Sequence, residues 1–333
     1  MLSISLPIRL MLLLVVAIGV YSVTRHYTSS KVPSTASAAE LVSASSATAA
    51  DEYPKSTGST ATTKRASFLY LPAEPVGGKL RGVVELGASG FNSFIVRTDA
   101  KRHWKLLKAE FDNSLLMENM ASNEDIRRRL RAYIAKMLDY GVAGQDVHFL
   151  VSSGAQKANT TRKIVKELTA LGYVVNTMTP TKEAALGLGV VLPPTYQDKA
   201  FVVDMGSGGT EISWLAAGVL NSVDSYGSKY YEEGISAATV AAEVKRKAAQ
   251  VPASLRRTCF IIGGVPYELA KQVRTGNERY TVLDAPDAYH FDKAKTIAGL
   301  TIYRSIAEAT GCKRFVFDWD ANFTIGYLLS LPQ

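Results

Sequence analysis

Two glycine-rich segments follow apolar runs in this sequence, and each has carboxylates beside it. Glu85 ends the first run, whereas Asp204 ends the second and Glu211 follows its turn. The turn residues are Gly87, Ala88, Ser89 and Gly90 in the first segment, and Gly206, Ser207, Gly208, Gly209 and Thr210 in the second. Glycine turns expose backbone N–H groups that bind anions, and a neighbouring carboxylate can hold a hydrated divalent cation. The pattern predicts a phosphate-binding site with Mg²⁺ or Mn²⁺.

A β-hairpin is the element that would position each turn. Apolar runs at 83–86 and 201–203 precede the turns, and runs at 94–96 and 212–215 follow them, as in two strands joined by a tight connection. A single glycine hairpin is ordinary and needs no ligand. Asp204 lies 119 positions after Glu85, however, and the repetition of both turn and acid favours two halves that clamp one phosphate chain.

The composition indicates a globular protein with an anionic ligand. The chain has 333 residues, 47% of them hydrophobic, and a net charge of +8, which suits an anionic partner. The basic clusters at 127–131 and 245–247 are interpreted as solvated helix faces, because no aromatic residues alternate with them, and no nucleic-acid binding is expected. Cys259 and Cys312 lack zinc-site spacing and are expected to be buried thiols, with a disulfide left open for an exported protein.

The first 27 residues predict a membrane segment. Residues 10–23 are uninterruptedly apolar, and residues 2–23 reach the length of a spanning helix if Arg9 snorkels. A cleaved signal peptide is the alternative, but its small-residue site at 36–38 lies far beyond the apolar run. We therefore expect a single-pass, membrane-anchored protein with a signal anchor at 1–27, the exported side being favoured for the body, and a flexible Ser/Thr/Ala-rich linker at 28–77.

Helix and strand patterns alternate along the remainder, which predicts an α/β fold. The predicted helices lie at 122–140, 159–171, 181–188, 236–250, 266–272, 294–310 and 322–331, and further strands at 104–110, 147–151, 173–175, 220–224, 258–262 and 314–318. The order of hairpin, helix, strand and glycine turn occurs once in each half. A coarse duplication is therefore expected.

Five motifs resemble those of the exopolyphosphatase/guanosine pentaphosphate phosphatase (Ppx/GppA) family. They are Glu-Leu-Gly-Ala-Ser-Gly-Phe at 85–91, Val-Ser-Ser-Gly-Ala-Gln-Lys-Ala-Asn at 151–159, Thr-Pro-Thr-Lys-Glu-Ala-Ala-Leu at 179–186, Asp-Met-Gly-Ser-Gly-Gly-Thr-Glu at 204–211 and Ile-Ile-Gly-Gly-Val at 261–265. The resemblance, which covers residues 82–331, implies a two-domain, actin-like (ribonuclease H-like) fold with an interdomain cleft. Domain I would comprise 78–192 with the C-terminal helix at 320–333, and domain II 193–319.

The resemblance also implies roles for individual residues. Glu183 would orient the attacking water, and Asp204, Glu211 and Glu85 would hold Mg²⁺ or Mn²⁺. Both glycine turns would bind phosphate groups, together with a further turn at Gly263 and Gly264. The family usually has an arginine in the 152–157 segment, where this chain offers only Lys157. The implied activity is hydrolysis of a phosphoanhydride in polyphosphate or a nucleoside polyphosphate.

Two alternatives to this activity stay open. The apyrases resemble this chain in the Asp-x-Gly-Gly turn, which would make it a nucleoside tri- and diphosphate hydrolase. A non-catalytic, membrane-tethered sensor would bind a nucleotide or polyphosphate in the same cleft without hydrolysing it. Whether the body forms a homodimer is also left open.

Overall fold

Two mixed β-sheets form the frame of the computed structural model, which describes residues 68–111 and 122–332. The first sheet contains β1 (Lys79–Gly87), β2 (Gly90–Thr98), β3 (Trp104–Phe111), β4 (Val147–Val151) and β5 (Val175–Thr177). Its strand order is β3-β2-β1-β4-β5. The first three strands are antiparallel neighbours, and β4 and β5 continue the sheet parallel to β1.

The second sheet repeats this plan. It contains β6 (Ala200–Met205), β7 (Gly209–Ala216), β8 (Val219–Tyr226), β9 (Thr258–Gly263), β10 (Tyr280–Val282) and β11 (Phe315–Asp318). The strand order is β10-β11-β9-β6-β7-β8, in which β9 and β11 run parallel to β6 and β10 adds an antiparallel edge. The duplicated order confirms the predicted α/β, actin-like fold. The domain boundaries at 77, 192 and 319 stay predictions.

Seven α-helices of the described residues pack in layers around the two sheets. They are α1 (Asn123–Asp139), α2 (Asn159–Ala170), α3 (Pro180–Val191), α4 (Ala237–Ala248), α5 (Gly264–Val273), α6 (Ala294–Thr310) and α7 (Phe323–Ser330). One hydrophobic core joins α1 and α2 to the first sheet, and another joins α4, α5 and α6 to the second. A third core contains α3 and α7 between the two sheets. Two helices therefore fill the space between the sheets.

Local capping residues determine where several helices begin. Ser122 Oγ accepts a hydrogen bond from Asp125 N (3.1 Å) at the start of α1. Thr179 Oγ1 accepts from Lys182 N (3.2 Å) ahead of α3. The Asn322 side chain accepts from Thr324 N (2.8 Å) ahead of α7. Such caps satisfy N–H groups that the first helical turn leaves unpaired. The last two caps begin the two helices that pack between the sheets.

The crossing of α3 and α7 depends on Gly326. A Cβ atom on this residue would lie 2.2 Å from the carbonyl oxygen of Leu186, which is backbone and cannot move aside. We expect Gly326→Ala to lower the free energy of unfolding by about 1–3 kcal/mol, the usual cost of overpacking, as measured by urea denaturation. Gly189→Ala is the matched control, since Gly189 is exposed on α3 with no atom within 4 Å of its added Cβ. That variant should be stabilised by up to about 1 kcal/mol. Equal stabilities for the two variants would contradict the prediction.

Residues 68–77 contain no helix or strand, yet their aromatic side chains belong to the body. The Phe68 ring lies 5.3 Å from the Tyr196 ring and 5.4 Å from those of Phe260 and Tyr280, measured between centroids. The Tyr70 ring lies 5.8 Å from that of Tyr280. Aromatic pairs at these spacings stabilise a packed core. The C-terminal end of the predicted linker therefore packs against the body.

The prediction of a single-pass, membrane-anchored protein is contradicted. Within residues 68–111 and 122–332, no helix combines the length and the apolar character that crossing a bilayer requires. The predicted anchor at 1–27 and the linker residues up to 67 lie outside the described residues. The two cysteines are free and buried, as expected.

Candidate functional site

The first hairpin joins β1 to β2 and carries Glu85 near its turn. Glu85 pairs with Asn92, and Gly87 with Gly90, so that Ala88 and Ser89 form the tip. Gly90 has a φ of 145°, which favours glycine. The buried Glu85 carboxylate accepts hydrogen bonds from the amide groups of Asn92 (2.9 Å) and Asn322 (3.3 Å). Neither asparagine was predicted as a site residue. The pairing of β1 with β2 would have indicated that Asn92 lies opposite Glu85, whereas Asn322 precedes α7 and is distant in sequence.

The second hairpin joins β6 to β7 and pairs Asp204 directly with Glu211. Its turn is closed by a hydrogen bond from Gly206 N to Gly209 O (2.8 Å). A Cβ atom on Gly209 would lie 3.0 Å from Glu211 Oε1, so this carboxylate reaches back toward the turn. Thr210 is buried, and its hydroxyl donates to Tyr226 O (2.8 Å). Its hydroxyl therefore supports β8, and the binding of phosphate by Thr210 stays a prediction.

A short loop behind the second turn holds it in place. Ser228 N donates to Gly206 O (3.0 Å), and Lys229 N donates to Ser207 O (3.0 Å). Gly227 permits this approach, because a Cβ on it would lie 2.3 Å from Gly209 N. This support was not predicted, because a lone glycine after a strand does not indicate what it packs against.

Helix α3 places Glu183 beside the loop that follows β4 and near the end of β6. Glu183 is buried, and its two oxygens accept from Ser153 N (2.7 Å) and Ser153 Oγ (2.6 Å). Gly187, one helical turn later, faces Asp204: a Cβ on Gly187 would lie 4.0 Å from Asp204 Oδ2. The same face of α3 therefore carries Glu183 and lies over the end of β6.

Burial and mutual repulsion raise the pKa of these carboxyl groups. The pKa of Glu85 rises to about 7, mainly through burial and further through Glu183. Burial, then Glu183 and Glu85, raise the pKa of Asp204 to about 8. Burial and then Asp204 raise the pKa of Glu211 well above its ordinary value. Burial also raises the pKa of Glu183, although the hydrogen bonds from Ser153 act in the opposite direction. Four acids from four elements thus share one electrostatic environment.

The chemistry of these acids fits a hydrated divalent cation. In the described part of the chain, no three His, Cys, Asp or Glu side chains are gathered into a ready-made metal-binding group. Mg²⁺ usually keeps several water ligands and uses only one or two carboxylates, so it needs no protein cage. A nearby cation would favour the ionised carboxylates and offset their repulsion. Asp204, Glu211 and Glu85 are the residues that would hold such an ion.

Above the acids, the tips of the loops contact one another. The Ser89 hydroxyl donates to the Ser207 hydroxyl, which joins the two hairpins. A Cβ on Gly208 would lie 2.7 Å from Gly154 Cα and 3.3 Å from Ala88 Cβ. Three loops thus meet with almost no side chain between them. A phosphate chain could pass between the two hairpins only after these tips separate.

The third glycine turn lies where β9 leads into α5. Gly263 has a φ of 110°, and a Cβ on it would lie 2.2 Å from the carbonyl oxygen of Met205. This turn therefore adjoins the end of β6. A Cβ on Gly264 would lie 3.8 Å from Lys295 Nζ, a residue absent from the sequence-based candidates.

Lys157, the basic candidate from the sequence, takes a different position. It is exposed ahead of α2, and its carbonyl oxygen accepts a hydrogen bond from Arg162 (3.5 Å). Its ammonium group forms no hydrogen bond or ion pair with any described residue. The structure therefore brings the acids and the three glycine turns together but leaves Lys157 on the surface.

Comparison with known proteins identifies solved structures that share this fold. The sequence matches no family model and no curated protein. Among solved structures, an Aquifex aeolicus Ppx/GppA family member is 15% identical with a TM-score of 0.58, and the match covers 76% of this chain and 97% of that one. A Cytophaga hutchinsonii exopolyphosphatase is 13% identical (TM-score 0.60; 75% and 96% covered), and an exopolyphosphatase-like protein is 16% identical (TM-score 0.59; 75% and 97% covered). The chain therefore has the fold of the Ppx/GppA phosphatases, which confirms the resemblance first seen in its five motifs.

Proposed function

We propose that this protein is a Mg²⁺-dependent phosphoanhydride hydrolase that acts on polyphosphate or a nucleoside polyphosphate. The observation that carries the proposal is the convergence of Glu85, Glu183, Asp204 and Glu211 at the base of two glycine turns. Buried acids that raise one another's pKa are costly, and such groups are concentrated at functional sites. Backbone N–H groups beside them suit a polyanion. The Ppx/GppA-like fold supports the same class of substrate.

Glu183 is the residue proposed to orient the attacking water. In the reaction, the water oxygen attacks the terminal phosphorus and gives a proton to Glu183. The bond from that phosphorus to the bridging oxygen breaks, and this oxygen leaves with the shortened phosphate chain. A carboxylate that accepts a hydrogen bond from the water aligns it for in-line attack. The two hydrogen bonds from Ser153 hold the Glu183 carboxylate in one orientation, and its raised pKa brings it closer to the neutral range where a general base is most effective.

The other acids and the turns have complementary roles. Asp204, Glu211 and Glu85 would hold the divalent cation, which when bound neutralises charge on the phosphate oxygens. The turns at Gly87–Gly90 and Gly206–Gly209 would bind successive phosphate groups through their N–H groups. Closure of the tips would exclude bulk water around the reacting phosphorus. This arrangement leaves positioning and charge neutralisation as the protein's main contributions.

A phosphate-binding protein without turnover is the second candidate. One observation favours it: both Glu183 oxygens already accept hydrogen bonds from Ser153. With both oxygens engaged, Glu183 can hold a water only through its remaining lone pairs. If Glu183 holds no water, the protein would bind its phosphorylated ligand without hydrolysing it.

Phosphate release separates these candidates. The full chain is incubated with Mg²⁺ and, in parallel, with tripolyphosphate, long-chain polyphosphate, a guanosine polyphosphate, and nucleoside tri- and diphosphates. We expect release from at least one of the first three that is abolished by EDTA and by Glu183→Gln, the variant that excludes a contaminating phosphatase. Release only from nucleoside tri- and diphosphates would favour the apyrase-like activity. Tight binding without release would favour the sensor.

A further inference from the structure

Lys295 reaches the meeting point of the glycine turns from a distant part of the chain. It is the second residue of α6, and its half-buried side chain donates from Nζ to the Ser89 hydroxyl (3.1 Å). Ser89 in turn donates to Ser207 on the second hairpin. The ammonium group also adjoins Gly264 of the third turn. The ammonium group thus contacts the first turn and adjoins the third, and Ser89 links it to the second.

The charge of Lys295 has no direct partner among the described residues. No carboxylate of residues 68–111 or 122–332 forms an ion pair with it, whereas the neighbouring Lys229 pairs with Glu232 (3.1 Å). Burial lowers the pKa of Lys295 and the charge of Lys229 lowers it further, whereas the more distant carboxylates of Glu232 and Glu268 act in the opposite direction. A partly buried ammonium group without a counter-ion is unfavourable. An anion at the tips would remove that cost.

The acidic groups and the lysine lie at different levels of the two hairpins. Glu85, Asp204 and Glu211 lie on the paired strands, whereas Ser89 and Ser207 lie at the tips beside Lys295. A divalent cation among the acids would serve the phosphate group at the strand level. A second phosphate group at the tips would face the lysine instead.

We propose that Lys295 binds a phosphate group of the substrate other than the one that is hydrolysed, once the hairpin tips separate to admit the chain. This inference rests on the proposed function, because it takes the same phosphorylated substrate. It assigns to Lys295 the role for which the sequence offered only the exposed Lys157. A lysine suits this position as a compact point charge with three donors.

An interaction with a non-reacting group contributes equally to the ground state and the transition state, so its loss raises KM and leaves kcat nearly unchanged. A hydrogen bond to a charged group of this kind corresponds to roughly 10- to 100-fold in affinity. We therefore expect Lys295→Gln to raise the KM for tripolyphosphate by about that factor. Lys295→Arg should restore most of the affinity, because the charge returns.

The experiment compares four variants of the full chain in Mg²⁺ with inorganic tripolyphosphate. Lys313→Gln is the control, since it removes the same charge from an exposed residue beyond the other end of α6. Lys157→Gln tests the other lysine considered as a phosphate-binding residue. Calorimetric binding of tripolyphosphate is measured for each variant in a Glu183→Gln background, so that affinity is obtained even without turnover.

The inference would be overturned if Lys295→Gln left the affinity for tripolyphosphate unchanged. It would also be overturned if Lys157→Gln lowered that affinity instead. A fall in kcat at constant KM would overturn it as well. These outcomes leave the proposed function intact if the wild-type chain releases phosphate. A wild-type chain that neither binds nor hydrolyses tripolyphosphate or any other substrate tested would overturn both proposals.

Discussion

Replacing Glu183 by glutamine should reduce turnover by about 10²- to 10⁴-fold, the usual range for a positioned general base. Affinity for substrate should change little, because a water-orienting carboxylate acts mainly in the transition state. Glutamine has nearly the same shape and keeps one oxygen that can accept a hydrogen bond from Ser153. A large effect therefore cannot be assigned to lost packing.

Steady-state phosphate release at saturating substrate tests this prediction, with calorimetric binding measured beside it. Glu124→Gln is the control, since Glu124 is exposed in the first turn of α1 and the same chemical change there should have no effect. Ser153→Ala adds an independent test. Loss of its hydroxyl hydrogen bond should raise the Glu183 pKa further and move the acid limb of the pH–rate profile to higher pH. Near-wild-type turnover in Glu183→Gln would remove Glu183 from the active site.

Asp204→Asn should make the metal-free protein more stable at pH 8 while abolishing its stabilisation by Mg²⁺. The pKa of Asp204 is raised from its ordinary value of 3.8 to about 8 in the folded state. Between those values the folded protein holds a proton that the unfolded chain releases, so this group lowers the free energy of unfolding as the pH rises. One pKa unit corresponds to about 1.4 kcal/mol.

Because Asp204 is half-buried, solvent screening reduces the full effect. We expect the variant to gain on the order of 1–3 kcal/mol at pH 8 in EDTA, and almost nothing at pH 4, where the wild-type carboxyl is protonated. In Mg²⁺ the wild-type protein should be stabilised by about 2.7 kcal/mol at a hundredfold excess over Kd. The variant should lose most of that gain with its metal-holding oxygen.

Urea denaturation from pH 4 to pH 8, in EDTA and in Mg²⁺, measures both effects. Asp198→Asn provides the control, because Asp198 is an exposed carboxylate just before β6, at the end opposite Asp204. It should reproduce neither the gain in EDTA nor the loss of Mg²⁺ stabilisation. A variant that is no more stable than the wild type at pH 8 in EDTA would contradict the raised pKa. Unaltered stabilisation by Mg²⁺ would contradict the metal-holding role.

Structural features that depend on residues close together in the chain could be predicted from the sequence alone. The apolar runs around Gly87 and Gly206 predicted both hairpins, and antiparallel pairing across a short turn then sets Asp204 opposite Glu211. The helix predicted at 122–140 is α1, which begins directly after its cap, Ser122. The strand predicted at 173–175 instead spans Val175–Thr177, because its pairing with β4 decides its position. Short-range patterns determine elements and turns well, since their physical causes lie within a few residues.

Contacts between distant segments came only from the tertiary structure. Ser153 holds Glu183 from 30 residues away, Lys295 reaches Ser89 across 206 residues, and Asn322 reaches Glu85 across 237. Nothing in the types or spacing of these residues indicates a partner so far along the chain. The packing of α3 and α7 between two sheets, and of α6 beside the tips, decides which side chains meet. The sequence alone thus determined the acids and the glycine turns, whereas the folded arrangement decided which residues orient the acids and which cation faces the turns.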